Sequence, residues 1–198
     1  MASSRPPIDY IARTRAQYDA LGYPPYQWVE LPEKPPFAPI GKPVSECRLA
    51  LVASGGVYAQ GQPAFHFKDD TSIRIIDTEA QAHTLRATHF AYDLTDARRD
   101  INVVFPVETL RRLVSRGRLG SLAQRAYTFM GGIYSARKVR DRLAPALADR
   151  LVSDEVDLVG LDDEMAFAAC PTLIARVWHC RQFTIHFRRP PNARCPAN

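Results

Sequence analysis

The stretch that most constrains this chain is Leu49-Ala50-Leu51-Val52-Ala53-Ser54-Gly55-Gly56-Val57-Tyr58, an apolar run that breaks at a serine and two glycines. A half-exposed strand would alternate apolar and polar residues. A short continuous run bounded by glycine instead predicts a strand buried on both faces, as in the first strand of a mostly parallel α/β sheet. Ser54, Gly55 and Gly56 then fall at its carboxyl end. Two readings of them stand side by side: a tight turn that needs φ > 0, or a ligand-binding turn in which bare glycine amides and the Ser54 hydroxyl meet a small molecule. The spacing is neither the G-x-G-x-x-G of dinucleotide sites nor a P-loop.

With 198 residues the chain suits one domain, or a domain plus an arm, with a sizeable core. Its 46% hydrophobic and 24% charged residues match a soluble globular protein. No apolar run reaches the roughly 20 residues of a membrane span, and the N-terminus lacks a signal-peptide core, so a cytoplasmic protein with no membrane partner is expected. Cys47, Cys170, Cys180 and Cys195 are scattered without a Cys-x-x-Cys, which argues against a disulfide scaffold or zinc finger. No metal site is expected, since His179, Cys180, His186 and Cys195 match no zinc spacing. The net charge is +5, and ten Lys or Arg fall between Pro106 and Arg150. They recur at helical spacing without interleaved aromatics, which predicts solvated helix faces and no nucleic-acid partner.

In chain order, Ile8 to Leu21 has the spacing of a helix that Gly22 ends. Seven prolines between Pro24 and Pro43 predict an extended strap over the domain. Short strands are expected over Ser72–Ile76 and Leu85–Tyr92. His89 and Asp93 lie at the end of the second, either as a local structural contact or as an acid/base couple. Pro106 suits the first turn of a helix that buries Leu110 and Leu113 and stops at Gly117 and Gly120. Ser121–Met130 reads as one extended segment. Ser135 is the expected N-cap of a helix to about Leu151, with a stripe of Val139, Leu143, Leu147 and Leu151 and a kink at Pro145. Val156–Leu161 reads as a strand, Met165–Trp178 as a helix and Gln182–Phe187 as a last strand.

Several blocks in order carry a resemblance: Tyr10 to Trp28, Leu49 to Tyr58, Asp100 to Pro106, Gly117-Arg118-Leu119-Gly120-Ser121-Leu122 and Tyr127-Thr128-Phe129-Met130-Gly131. Together they are similar to the selenoprotein B family of glycine/sarcosine/betaine and D-proline reductases, particularly its short relatives. The resemblance implies reductive cleavage of a C–N bond in an amino acid or related amine, with a dithiol as electron donor. It also implies a pyruvoyl group on a partner subunit and no cofactor in this chain. In the family a U/C-x-x-C motif follows the strand equivalent to Val156–Leu161, at a helix start that lowers a thiol pKa. Matching Leu173-Ile174-Ala175-Arg176 to the family's next helix puts the two motif positions on Glu164 and Phe167. Cys170, one turn on, is then the candidate nucleophile or inert packing.

The sequence thus predicts a three-layer α/β sandwich with a mostly parallel sheet, an N-terminal helix and a proline-rich strap. Its segments are 1–47 (helix and arm), 48–187 (reductase-like domain) and 188–198 (basic tail). The candidate catalytic residues are Cys170, His89 and Asp93; Ser54, Gly55, Gly56 and Asn102 are the candidate ligand-binding residues. A small amino-acid-like substrate, a reductase partner subunit and a homo-oligomer are the expected partners. The alternative is a small-ligand-binding or accessory protein that keeps the fold without the redox pair.

Overall fold

The computed structural model describes residues 9–25, 40–90, 92–162 and 183–186. The chain divides into two compact units, residues 1–30 and 31–198. The first holds helix α1, Tyr10–Ala20, whose N-cap Asp9 accepts a hydrogen bond from the Ala12 amide. Gly22 ends it with φ +69°, as the sequence predicts. Its amide donates to the Asp19 carbonyl and that of Tyr23 to the Tyr18 carbonyl, at 3.0 and 2.9 Å. Tyr18 and Tyr23 stack edge-on across this Schellman turn, 6.0 Å between ring centres. Of the proline-rich strap expected between Pro24 and Pro43, residues 26–39 lie outside the described residues.

In the second unit, the apolar run becomes two strands. Arg48–Ala53 forms β1 and Val57–Ala59 forms β2, split by Ser54, Gly55 and Gly56. Leu49, Ala50, Leu51, Val52 and Ala53 are all 2% exposed or less. Each large one stabilises the fold by roughly 1.5–3 kcal/mol relative to exposure. The period of two divides them: Ala50 and Val52 face one hydrophobic cluster, and Leu49, Leu51 and Ala53 face another.

The remaining strands are β3 (Arg74–Asp77), β4 (Leu85–Ala87), β5 (Ser121–Leu122), β6 (Arg125–Thr128), β7 (Leu158–Asp162) and β8 (Phe183–His186). The main sheet runs β3-β6-β1-β7-β8, with β5 also on β1. Only β3 is antiparallel to its neighbour. The structure corrects two strand expectations. Ser121–Met130 is two strands, because the register against β1 advances by two residues between β5 and β6. Thr78 fills that break, its hydroxyl donating to the Ala123 carbonyl at 2.8 Å and its amide to the Gln124 carbonyl at 2.9 Å. Leu85–Tyr92 is a strand only to Ala87, and it pairs with β2 in a separate two-stranded sheet. The chain then turns across Gly56, whose carbonyl accepts from the Thr88 amide at 2.9 Å.

Helices cover both faces. On one side lie α2 (Thr95–Arg99) and α3 (Val107–Ser115), which bury Ala97, Val107 and Leu110 against Leu49 and Leu51. Pro106 stands at the N-cap of α3 rather than within its first turn and supplies no capping side chain. Gly117, φ +64°, closes that helix with the same Schellman bonds as Gly22. The other face is covered by a helix that Ser135 caps, as expected, by accepting from the Lys138 amide. It opens as α4 (Ala136–Lys138), widens into a π turn over Val139–Leu143 and continues as α5 (Ala144–Ser153). Val139, Leu143, Leu147 and Leu151 are fully buried. Just before Pro145, where the sequence predicts a kink, the helix is irregular: the π turn accommodates a residue that has no amide to give and whose ring crowds the preceding turn. The result is the three-layer α/β sandwich with a mostly parallel sheet.

Candidate functional site

Strands β1 and β6 are adjacent and parallel, and the chain leaves their carboxyl ends towards opposite faces of the sheet. After β1 it runs to the α2–α3 layer; after β6 it enters α4–α5. In open α/β sheets such a switch point opens the crevice where ligands bind. The register also brings the end of β7 here, since Ala53 pairs with both Thr128 and Asp162. Ser54 therefore sits where three strands end.

The glycine turn is tightly built. Gly55 bridges Met130, with the Gly56 amide donating to the Phe129 carbonyl at 3.0 Å and the Gly131 amide to the Ser54 carbonyl at 2.8 Å. Gly56 has φ +69°, and a Cβ on it would lie 2.0 Å from the Thr88 carbonyl oxygen. A Cβ on Gly55 would lie 2.8 Å from Val104 Cβ. Both glycines thus meet needs of the chain's own packing, and the Gly56 amide is engaged internally. Ser54 is wholly buried.

The segment after β4 folds over this turn. Its Thr88 is bonded to Gly56, and the Tyr92 hydroxyl donates to the Gly55 carbonyl at 2.8 Å. His89 is buried and stacks on Tyr92, 4.4 Å between ring centres. Burial pushes its pKa down from 6.5 to about 4. The imidazole is neutral at pH 7, fit to exchange hydrogen bonds and poorly matched to general acid work. Asp93 is exposed and turned to Thr95, whose amide and hydroxyl donate to it at 2.9 and 2.7 Å. These bonds, the hydroxyl first, hold its carboxyl below the usual range. The structure brings His89 to the glycine turn but does not hydrogen-bond it to Asp93.

Asn102 has a different task. Its Oδ1 accepts from the Glu108 amide at 3.2 Å, and its Nδ2 donates to Asp100 Oδ1 and Glu108 Oε2, both at 2.9 Å. It caps α3 from outside the helix, replacing the cap that Pro106 does not give. Cys170, Glu164 and Phe167 lie outside the described residues. Among the described residues the free cysteine is Cys47, buried beside the amino end of β1, with its pKa raised by burial.

An aromatic rim completes the carboxyl edge. Phe67, Phe90 and Tyr134 are 62%, 56% and 77% exposed, unusual for side chains that size. Phe67 lies edge-on to Phe90, 6.2 Å between centres, and His66 lies 4.5 Å from Phe67. Asp69 ties this loop to the start of α4 by accepting from the Tyr134 and Ser135 amides at 2.8 and 3.2 Å. Burial raises its pKa, but those amides and Lys138 outweigh it and keep the carboxyl charged. No local sequence pattern marks these aromatics, because Phe67 and Phe90 are brought together only by the fold. Among the described residues no group of three or more His, Cys, Asp or Glu is arranged for a metal ion, and no helix is long and apolar enough to cross a membrane.

Comparison with known proteins agrees with the resemblance drawn from the sequence. The family described as Glycine/sarcosine/betaine reductase selenoprotein B matches residues 26–162. The D-proline reductase subunit gamma of Acetoanaerobium sticklandii is 30% identical over 132 residues, 67% of this chain and 54% of the relative. The glycine reductase complex component B subunit gamma of Symbiobacterium thermophilum is 30% identical over 145 residues, 69% of this chain and 32% of its own length. That of Carboxydothermus hydrogenoformans is 29% identical over 134 residues, covering 64% and 30% respectively. The chain therefore spans about half of the first relative and about a third of the other two. No solved structure matches significantly. With well over half of its residues matched in one block that includes the switch point, the chain belongs to the glycine/sarcosine/betaine reductase selenoprotein B family.

Proposed function

We propose that this chain is a component of an amino-acid reductase complex and takes part in reductive cleavage of a C–N bond in an amino acid or related small amine. The observation that best supports this reading is the switch point: Ser54–Gly56, the His89–Tyr92 stack and the end of β7 meet at one edge, and Phe90, next to His89 in the chain, lies edge-on to Phe67. In such a cleavage a dithiol gives two electrons and two protons and becomes a disulfide. The carbon gains hydrogen as the amine leaves. The resemblance assigns the pyruvoyl group that activates the substrate to a partner subunit. The described residues at this edge do not fit that group's electron chemistry: they are a neutral imidazole, a phenol and aromatic faces. They are suited to bind a small substrate and exclude water.

A second reading is an accessory or ligand-binding protein, favoured by the absence of thiols at Glu164 and Phe167. One experiment separates the two. The full chain is recovered with its native partners, and amine release and dithiol oxidation are followed with glycine, betaine or D-proline. Turnover that vanishes in Cys170→Ser, with partner binding intact, supports the enzyme. Unchanged turnover in that variant, or no turnover while a substrate raises Tm, supports the accessory protein.

A further inference from the structure

The opposite edge of the sheet carries a feature the reductase reading does not use. A cleft of about 490 Å³ opens between the start of β1, β5, the Thr78–Glu79 turn and the second half of α3. That volume is within the range of small-molecule sites. Two guanidinium groups line it, those of Arg48 and Arg111, against one carboxylate, Glu79.

The two arginines differ in how they are held. Arg111 is fixed: its Nε donates to the Thr78 carbonyl at 2.6 Å and its Nη2 to the Ala80 carbonyl at 2.7 Å. Those carbonyls satisfy donors without neutralising charge. Arg48 is held through its backbone, its amide donating to Asp157 Oδ2 at 2.8 Å and its carbonyl accepting from the Asp157 amide at 2.9 Å. Among the described residues neither guanidinium lies within 4.0 Å of a carboxylate oxygen, and Glu79 lies within that distance of no cation; Asp157 interacts with Arg48 electrostatically but is ion-paired to Lys42 at 2.7 Å. Both arginines are half-buried. Positive charge that is partly desolvated and not closed off by a direct ion pair favours an incoming anion more strongly than charge on an open surface. Val114 and Leu122, also half-buried, supply an apolar wall.

We infer that this amino-edge cleft binds a small organic monocarboxylate with a short apolar stem. Its carboxylate pairs with Arg48 and the remaining Nη1 of Arg111, and its stem lies on Val114 and Leu122. A planar carboxylate suits guanidinium donors. Glu79 sets the charge limit, because it repels a dianion.

The test is a titration of the ¹⁵N-labelled full chain with sodium hexanoate at constant ionic strength. Hexanol and inorganic phosphate serve as separate arms. Saturable amide shifts at Val114, Ser121 and Leu122 are expected with hexanoate, with neither hexanol nor phosphate reproducing them at equal concentration. Arg48→Gln should weaken binding about tenfold. Glu79→Gln, at an exposed side chain that does not endanger folding, should tighten it. Shifts that do not saturate, equal binding of hexanol or phosphate, or equal hexanoate affinity in wild type and a folded Arg48→Gln overturn the inference. So does an affinity that Glu79→Gln leaves unchanged or weakens. An adventitious ionic effect would appear as shifts that follow salt rather than hexanoate.

Discussion

Replacing Gly56 by alanine loads two penalties onto one methyl group, whereas Gly117→Ala loads only one. Gly56 and Gly117 have nearly the same φ, +69° and +64°. Each substitution carries the left-handed cost of an L residue, about 1–2 kcal/mol. Around Gly117 a Cβ meets nothing within 4 Å, so the cost ends there. At Gly56 it would stand 2.0 Å from the Thr88 carbonyl oxygen and 2.9 Å from its carbon, so the segment after β4 must retreat by about 1.4 Å to reach ordinary contact. That movement strains the Thr88-to-Gly56 and Gly56-to-Phe129 hydrogen bonds, at 2.9 and 3.0 Å, each a net contribution of about 1 kcal/mol. The sum is about 3–4 kcal/mol for Gly56→Ala against about 1–2 for Gly117→Ala. Urea unfolding followed by fluorescence reads the difference directly, since a gap of about 2 kcal/mol moves the midpoint by about 1 M. Equal midpoints for the two variants would refute the claim that the His89–Tyr92 segment is clamped onto the glycine turn.

The folded pKa of His89, about 4, lies below its ordinary 6.5, so the unfolded chain binds the extra proton. Stability is complete above about pH 6.5 and falls by up to about 3 kcal/mol as pH drops towards 4; thermal melts of His89→Gln should lack that slope, and an unchanged slope would contradict it. Asp154 accepts from the buried Tyr127 hydroxyl and from Arg125, so Asp154→Ala should cost about 2–3 kcal/mol, while Asp141→Ala, at an exposed pair, should cost under about 1. Asn102→Ala should lower stability by about 1 kcal/mol and speed hydrogen exchange in the first turn of α3. A loss of ligand binding with α3 exchange unchanged would return Asn102 to a ligand role.

What could be read in the sequence was local. β1 announced itself because five successive apolar residues need two cores, and Leu49, Leu51 and Ala53 do face away from Ala50 and Val52. The four-residue spacing of Val139, Leu143, Leu147 and Leu151 located the second covering helix, and Gly22 and Gly117 marked helix ends. What escaped depended on distant partners. The break between β5 and β6 is set by Thr78, which is 45 residues from Ala123. The end of β4 is set by Gly56, and the role of Asn102 by a helix six residues on that lacks its own cap. In the candidate site, Ser54–Gly56 and His89 were legible as punctuation and chemistry. Tyr92, Phe67, Phe90 and Tyr134 were not, because only the folding of three loops onto one edge makes them neighbours.

The proposed function places the substrate at the switch point between β1 and β6. Hydrogen–deuterium exchange of the full chain, with and without glycine, betaine and D-proline, checks this placement residue by residue. Slower exchange is expected at Gly55, Gly56 and residues 88–92 with at least one of these ligands. Protection absent from the glycine turn with every ligand, or confined to the amino edge, would contradict it.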